Sequence, residues 1–176
     1  QYQFPLVSNE ERMRFVLKLT LQNIENTTGG PFGAAVFERE SGQLVSVGVN
    51  VVLKQGCSAA HAEMMAIMLA QQELGTHDLG IAELPEFQLV TSGKMCAMCL
   101  GSVVWSGVRE VLASAQPEDV ENIVGFDEGP APADYDQQLE KRGISIIPSF
   151  LREEGCAVLQ RYVELEGVVY NPSRNS

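Results

Sequence analysis

Between Met13 and Ile24 the apolar residues recur at helical spacing. Met13, Val16, Leu17, Leu21 and Ile24, with Thr20 among them, share one face. Ser8-Asn9-Glu10-Glu11 reads as a capping box ahead of this helix, with Ser8 as N-cap and Glu11 reaching back. Thr27-Thr28-Gly29-Gly30-Pro31 stops it. The period then shortens to two. Val45, Val47, Val49 and Val51 alternate with smaller or polar neighbours, which predicts a strand over 44–52. It pairs in a hairpin with 34–38 around Glu40-Ser41-Gly42. Ser58 is placed to cap a helix over 59–74. Further strands are predicted at 87–91, 110–113 and 144–147, and further helices at 96–106, 134–142 and 151–165. A short turn falls at 120–123. The stretch 121–135 is the least regular, and Pro130 and Pro132 keep it from being a helix interior. Strands and helices alternate after the hairpin. The expected fold is therefore α/β, a three-layer α-β-α sandwich with a five-stranded mixed sheet.

Composition narrows the class. The chain has 176 residues, 45% of them hydrophobic, enough for a single domain, 1–176, with a sizeable core. No apolar run approaches the roughly 20 residues of a bilayer span, so no membrane partner is expected. Gln1-Tyr2-Gln3-Phe4-Pro5 shows no basic segment leading into an apolar one, as a signal peptide would. The net charge is −11, and the 12 Lys and Arg are scattered. Gripping nucleic acid takes clustered basic residues, so a small neutral or cationic substrate is the better expectation. Of the 4 cysteines, two form a C-x-x-C pair. That suits a metal site in a reduced, cytoplasmic setting more than a disulfide framework.

The chemistry concentrates in His61-Ala62-Glu63 and Cys96-Ala97-Met98-Cys99. One His and two Cys can hold zinc by three bonds and leave the fourth position to water. Cys96 and Cys99 at the start of a helix would lie on one side of its first turn, where exposed N–H groups favour thiolate. His61 sits in the first turn of another helix. Glu63 is then beside the metal and able to move protons. Taken alone, the cysteines could be a redox pair and His61 a surface histidine; the combination argues against both. A structural zinc would need a fourth protein ligand, for which Cys57 is the candidate. Cys156 fits the apolar side of the last helix, and His77 a solvated loop.

The combination H-x-E…C-x-x-C resembles the cytidine deaminase superfamily. The closer resemblance is to its guanine deaminase branch and covers nearly the whole chain. Gly29-Gly30-Pro31-Phe32-Gly33-Ala34 looks like the family's turn into the first strand, and Gly48-Val49-Asn50 like its substrate-binding Asn. Trp105 falls where the branch keeps a tryptophan. Gly125-Phe126-Asp127-Glu128-Gly129 looks like its acidic loop, and Val169-Tyr170-Asn171 like its C-terminal tail. The resemblance implies a homodimer in which the tail, about 166–176, closes a neighbouring subunit's site. One departure stands out. The family usually has Glu-Pro before the first cysteine, where this chain has Lys94-Met95. Met95 gives up proline's preset φ. Lys94 brings positive charge where an acid is usual, which would disfavour a cationic substrate or shift Glu63, unless it turns to solvent.

The expected reaction is hydrolytic loss of an amine from a free nucleobase, guanine to xanthine. Glu63 would carry protons from water to a ring nitrogen and to the leaving amine. Glu128 is the candidate second proton carrier, with Asp127 as fallback; Asp134 and Asp136 read as solvated. Asn50 can offer a donor and an acceptor to the ring. Ala62 can offer its backbone N–H, Trp105 a flat wall, and Tyr170 a contact across the dimer. The alternatives are deamination of an ammeline-like aminotriazine, cytosine or a pterin, and a zinc-binding scaffold without activity. A tRNA adenosine deaminase is opposed by the acidic charge.

Overall fold

The strands 33–38, 87–93 and 110–115 are buried along almost their whole length in the computed structural model, which describes residues 4–172. Residues 1–3 of the N-terminal reading and 173–176 of the tail lie outside the described residues. Burial on both faces explains why these strands read as nearly continuous apolar runs. They are β1 (Gly33–Glu38), β3 (Phe87–Gly93) and β4 (Glu110–Ala115), flanked by β2 (Leu44–Val49) and β5 (Ser145–Ile147). The sheet order is β2-β1-β3-β4-β5. β1 runs antiparallel to β2 and β3, whereas β3, β4 and β5 are mutually parallel. The sheet is mixed and five-stranded, as expected.

Alternate residues of each strand enter different cores. Ala34, Val36, Leu89, Val111 and Ala113 pack with α3 (Ala62–Leu74), α4 (Ala97–Ser106) and α6 (Tyr135–Glu140). Ala35, Phe37, Val90 and Leu112 pack with α1 (Asn9–Glu25), α5 (Pro117–Ile123) and α7 (Arg152–Glu164). These are the three layers. The capping box on α1 is present, with Ser8 Oγ accepting from Glu11 N at 3.2 Å and Ser8 N donating to Glu11 Oε2 at 3.0 Å.

Several boundaries shift by one to three residues from expectation, and two of the differences matter to the site. β2 ends at Val49 rather than 52, and Val52–Gln55 forms a short helix, α2. The side-chain carbonyl of Asn50 accepts from Val52 N at 3.3 Å and turns the chain out of the sheet. Ser58 does not cap α3. The segment ahead of α3 is bound into turns, with Val51 N donating to Ala60 O, and His61 takes the N-cap position. Among the described residues, no helix is long and apolar enough to cross a membrane.

Candidate active site

The carboxyl end of β3 and the adjoining ends of β1 and β2 open onto one cavity of about 380 Å³. In α/β sheets ligands settle outside the carboxyl ends of the strands. Two helix N-termini meet there. His61 is the N-cap of α3 and Cys96 the N-cap of α4. Cys99, one turn on, faces the same way. His61 Nδ1 lies 3.6 Å from Cys96 Sγ and 3.6 Å from Cys99 Sγ. All three donor atoms fall within 4.8 Å of one another. Tetrahedral zinc with ordinary Zn–N and Zn–S bonds needs about 3.5 Å between nitrogen and sulfur. The donor set and its spacing therefore fit zinc, with Nδ1 as the ligating nitrogen. Cys57 is exposed and outside this cluster, so the described residues offer three ligands there.

The electrostatics follow from the packing. The hydrogen bond from Cys99, with His61 assisting, draws the Cys96 thiol down to about 4. The same bond and burial push Cys99 up. The bond to Cys96 raises His61. Glu63 is buried in the first turn of α3, with Oε2 accepting from Cys99 Sγ at 3.5 Å and Oε1 from Thr91 Oγ1 at 3.4 Å. Burial, then the Cys96 charge, raises its carboxyl. Glu128 lines the same cavity. Burial foremost, then the charges of Cys96 and Glu63, pushes it up to about 8.

Asn50 is buried at the cavity wall. Its Oδ1 accepts from Val52 N at 3.3 Å and from Tyr170 Oη at 2.8 Å. The backbone N–H can only donate, which settles the amide's orientation. The NH2 is therefore what Asn50 has left for a ligand. The donor-and-acceptor role expected of it is corrected to a donor's role. Asn23 holds Asn50 from behind, its amide donating to the carbonyls of Gly30 and Asn50 at 2.9 and 3.0 Å.

Trp105 does not line this cavity. It is 85% exposed on the outer side of α4, so it cannot wall a base in its own chain. Phe32 and Phe126 form the aromatic wall instead, with ring centroids 5.6 Å apart, and Tyr170 packs on Phe126 at 4.7 Å. Phe32 and Phe126 stood inside motifs already singled out, but an aromatic at such a position is equally good core. Ala62 opens α3; its side chain is buried in the core, leaving only its backbone N–H for a ligand. Asp127 is exposed, and its Oδ1 accepts from Gly129 N at 2.8 Å within its own loop.

The described part of the tail, up to residue 172, lies over its own chain. Asn171 Nδ2 donates to Gly125 O at 2.8 Å, and its Oδ1 accepts from Asp127 N at 2.9 Å. Tyr170 thus reaches the site in cis, where a contact across a dimer was expected. Lys94 does not turn to solvent. It lines the cavity and pairs with Asp136 at 2.7 Å, so Asp136 is not simply solvated either.

Three ligands with room for water, and a buried carboxylate beside them, define a hydrolytic zinc enzyme. Comparison with known proteins narrows this class. Residues 7–115 match the cytidine and deoxycytidylate deaminase zinc-binding region, and the chain belongs to that family. The chain is 29% identical over 147 residues to the guanine deaminase of Bacillus subtilis, covering 84% of this chain and 89% of that protein. It is 49% identical to the guanine deaminase structure from Nitrosomonas europaea, with a TM-score of 0.88 over 92% of this chain and 88% of that one. A further structure, solved with 2,6-diaminopurine, is 50% identical, with a TM-score of 0.90 over 96% of this chain and 88% of that one.

Proposed function

We propose that this protein deaminates guanine hydrolytically, giving xanthine and ammonia. The observation that carries the reading is the convergence of the His61–Cys96–Cys99 cluster, the Glu63 carboxylate and the Asn50 amide on one cavity. The similarity to guanine deaminases from Bacillus subtilis and Nitrosomonas europaea supports guanine as the base. Zinc held by His61, Cys96 and Cys99 would bring the pKa of a coordinated water to near 7. The remaining work belongs to side chains. Phe32 and Phe126 hold the flat ring, and the Asn50 NH2 donates to a ring acceptor. The Ala62 N–H, at the positive end of α3, offers a second donor. Glu63 takes a proton from the attacking water and passes it to a ring nitrogen, which makes C2 electrophilic. A C–O bond forms at C2 and the C–N bond breaks. As it breaks, Glu63 takes the remaining proton from the attacking oxygen and delivers it to the departing amine, leaving a carbonyl at C2, and Glu128 is the second carrier on that side. Asp127 anchors the loop that presents Glu128.

The acting unit is a single domain that works as a homodimer in the cytoplasm. Exposed Met68 and Leu69 on α3 and Met98 and Trp105 on α4 support the dimer, and four cysteines without a disulfide suit a reduced compartment.

Replacing Glu63 with Gln tests the mechanism. The variant should keep one zinc per chain and lose turnover of guanine by about 10²–10⁴-fold, the usual contribution of a positioned acid–base group. Near-normal ammonia release from Glu63→Gln would overturn the assignment.

A further inference from the structure

Glu128 is carried by a stretch without regular structure between α5 and α6, yet the proposed reaction needs its carboxyl held in place. Contacts at three levels tie that stretch down. Asn171 grips Gly125 and Asp127 at its start. In the middle, Ala97 N donates to Glu128 O at 3.2 Å. At the far end, residues 94 and 95 hold residues 135 and 136. Lys94 Nζ pairs with Asp136 Oδ1 at 2.7 Å, and the same ammonium lies 4.5 Å from the centroid of the Tyr135 ring. Tyr135 Oη donates to Met95 O at 3.0 Å.

The far anchor is fastened to the metal ligands. Lys94 and Met95 directly precede Cys96, and Lys94 N donates to Ala115 O, which seats the residue at the end of the sheet. The Lys94 side chain is only 12% exposed, against 40% for Asp136. A charge-assisted bond with one partner so shielded is firmer than a surface ion pair. With its charge met by Asp136 and its ammonium over Tyr135, Lys94 is not poised to hold an anionic substrate. A carboxylate at position 94 would face Asp136 across the same gap and push the loop away.

We propose that Lys94 is a positioning residue for the acidic loop, clamping Asp136 so that Glu128 stays beside the zinc ligands. Its effect on rate rests on the deaminase reading; its effect on the loop does not. The two are measured separately on the zinc-loaded protein. Hydrogen exchange of the amides between 126 and 134 should quicken in Lys94→Met and in Asp136→Asn, with α3 and β3 unchanged. In ammonia release from guanine, each variant should lose about tenfold in kcat, the scale of one charge-assisted hydrogen bond, with KM hardly moved. The double variant should lose no more than either single one. Lys94→Arg should keep most of the rate, and Lys94→Glu with Asp136→Lys should recover part of it.

Unchanged loop exchange in Lys94→Met would overturn the clamp. Faster exchange with unaltered kcat would overturn the positioning of Glu128. A raised KM in Lys94→Met that Asp136→Asn does not share would make Lys94 a substrate contact and sink the proposal. If the wild-type protein leaves guanine intact, the functional reading fails, and the exchange experiment still decides the clamp.

Discussion

At the level of single residues, Asn50 illustrates how one side chain serves both fold and site. Its carbonyl ends β2 by accepting from Val52 and also receives the Tyr170 hydroxyl, so its NH2 is the group left for a ligand. Asn50→Asp would keep both acceptor roles and lose the donor. KM for guanine should rise by about tenfold or more, the cost of a missing hydrogen bond in a desolvated site, while zinc content stays at one per chain. Gly30 leaves the room this contact needs: a Cβ there would lie 2.1 Å from Tyr170 Oη. Gly30→Ala should therefore raise KM to the same degree as Tyr170→Phe, and the double variant should add little. The four residues His61, Glu63, Cys96 and Cys99 were legible in the sequence because metal and proton chemistry restrict both residue type and spacing. Trp105 was misplaced because a tryptophan's identity says nothing of which way its helix turns it. Asn171 stood inside the tail motif, but its grip on the acidic loop was not legible, since the backbone groups it binds are 44 and 46 positions away.

Elements set how far apart these groups stand. α3 lies close on β2 at Gly48, where a Cβ would come within 2.1 Å of Ala62 O and 2.4 Å of Ala66 N. Ser46 Oγ also donates to Ala66 O at 2.7 Å. Gly48→Ala must lift the start of α3, which bears His61 and Glu63. We expect a loss of about 1–3 kcal/mol by urea unfolding, typical of overpacking, together with weakened zinc retention. On the opposite layer, Arg152 of α7 makes two bonds to Asp119 of α5, at 2.7 and 2.8 Å. The Arg152 bond foremost holds Asp119 below its ordinary value. A depressed folded-state pKa contributes stability above the unfolded value near 3.8 and loses it as pH falls through the folded one. The stability gap between wild type and Arg152→Met should thus be present at neutral pH and close below pH 3.8. A gap independent of pH would show that packing, not charge, joins these helices. The period-two and helical patterns revealed the long elements and both layers. They overran at Val51, where a local side-chain bond from Asn50 outweighed strand propensity, and at 59–61, where turns precede the helix.

On the scale of the whole molecule, four large apolar side chains of α3 and α4 are exposed among the described residues. Trp105 is 85% exposed, Met98 40%, Met68 47% and Leu69 41%, on neighbouring helices of one layer. Large exposed apolar clusters on soluble proteins mark contact surfaces, and Trp is a frequent anchor at their centres. Met98 also lines the catalytic cavity, so a second copy seated on this face would border the site. The acidic charge of −11 gives two copies a long-range repulsion that salt screens. In the proposed dimer an apolar contact would have to overcome it, so dimerisation should tighten as ionic strength rises. Trp105→Glu puts a charge where desolvation is greatest and should yield a monomer by sedimentation velocity, with its zinc retained and its activity on guanine reduced. The retained zinc separates loss of the partner from loss of the fold. A wild-type protein that sediments as a monomer at every salt concentration would count against the dimer. Unchanged activity in a monomeric variant would show that the cavity is complete in one chain, closed by its own Tyr170 and Asn171.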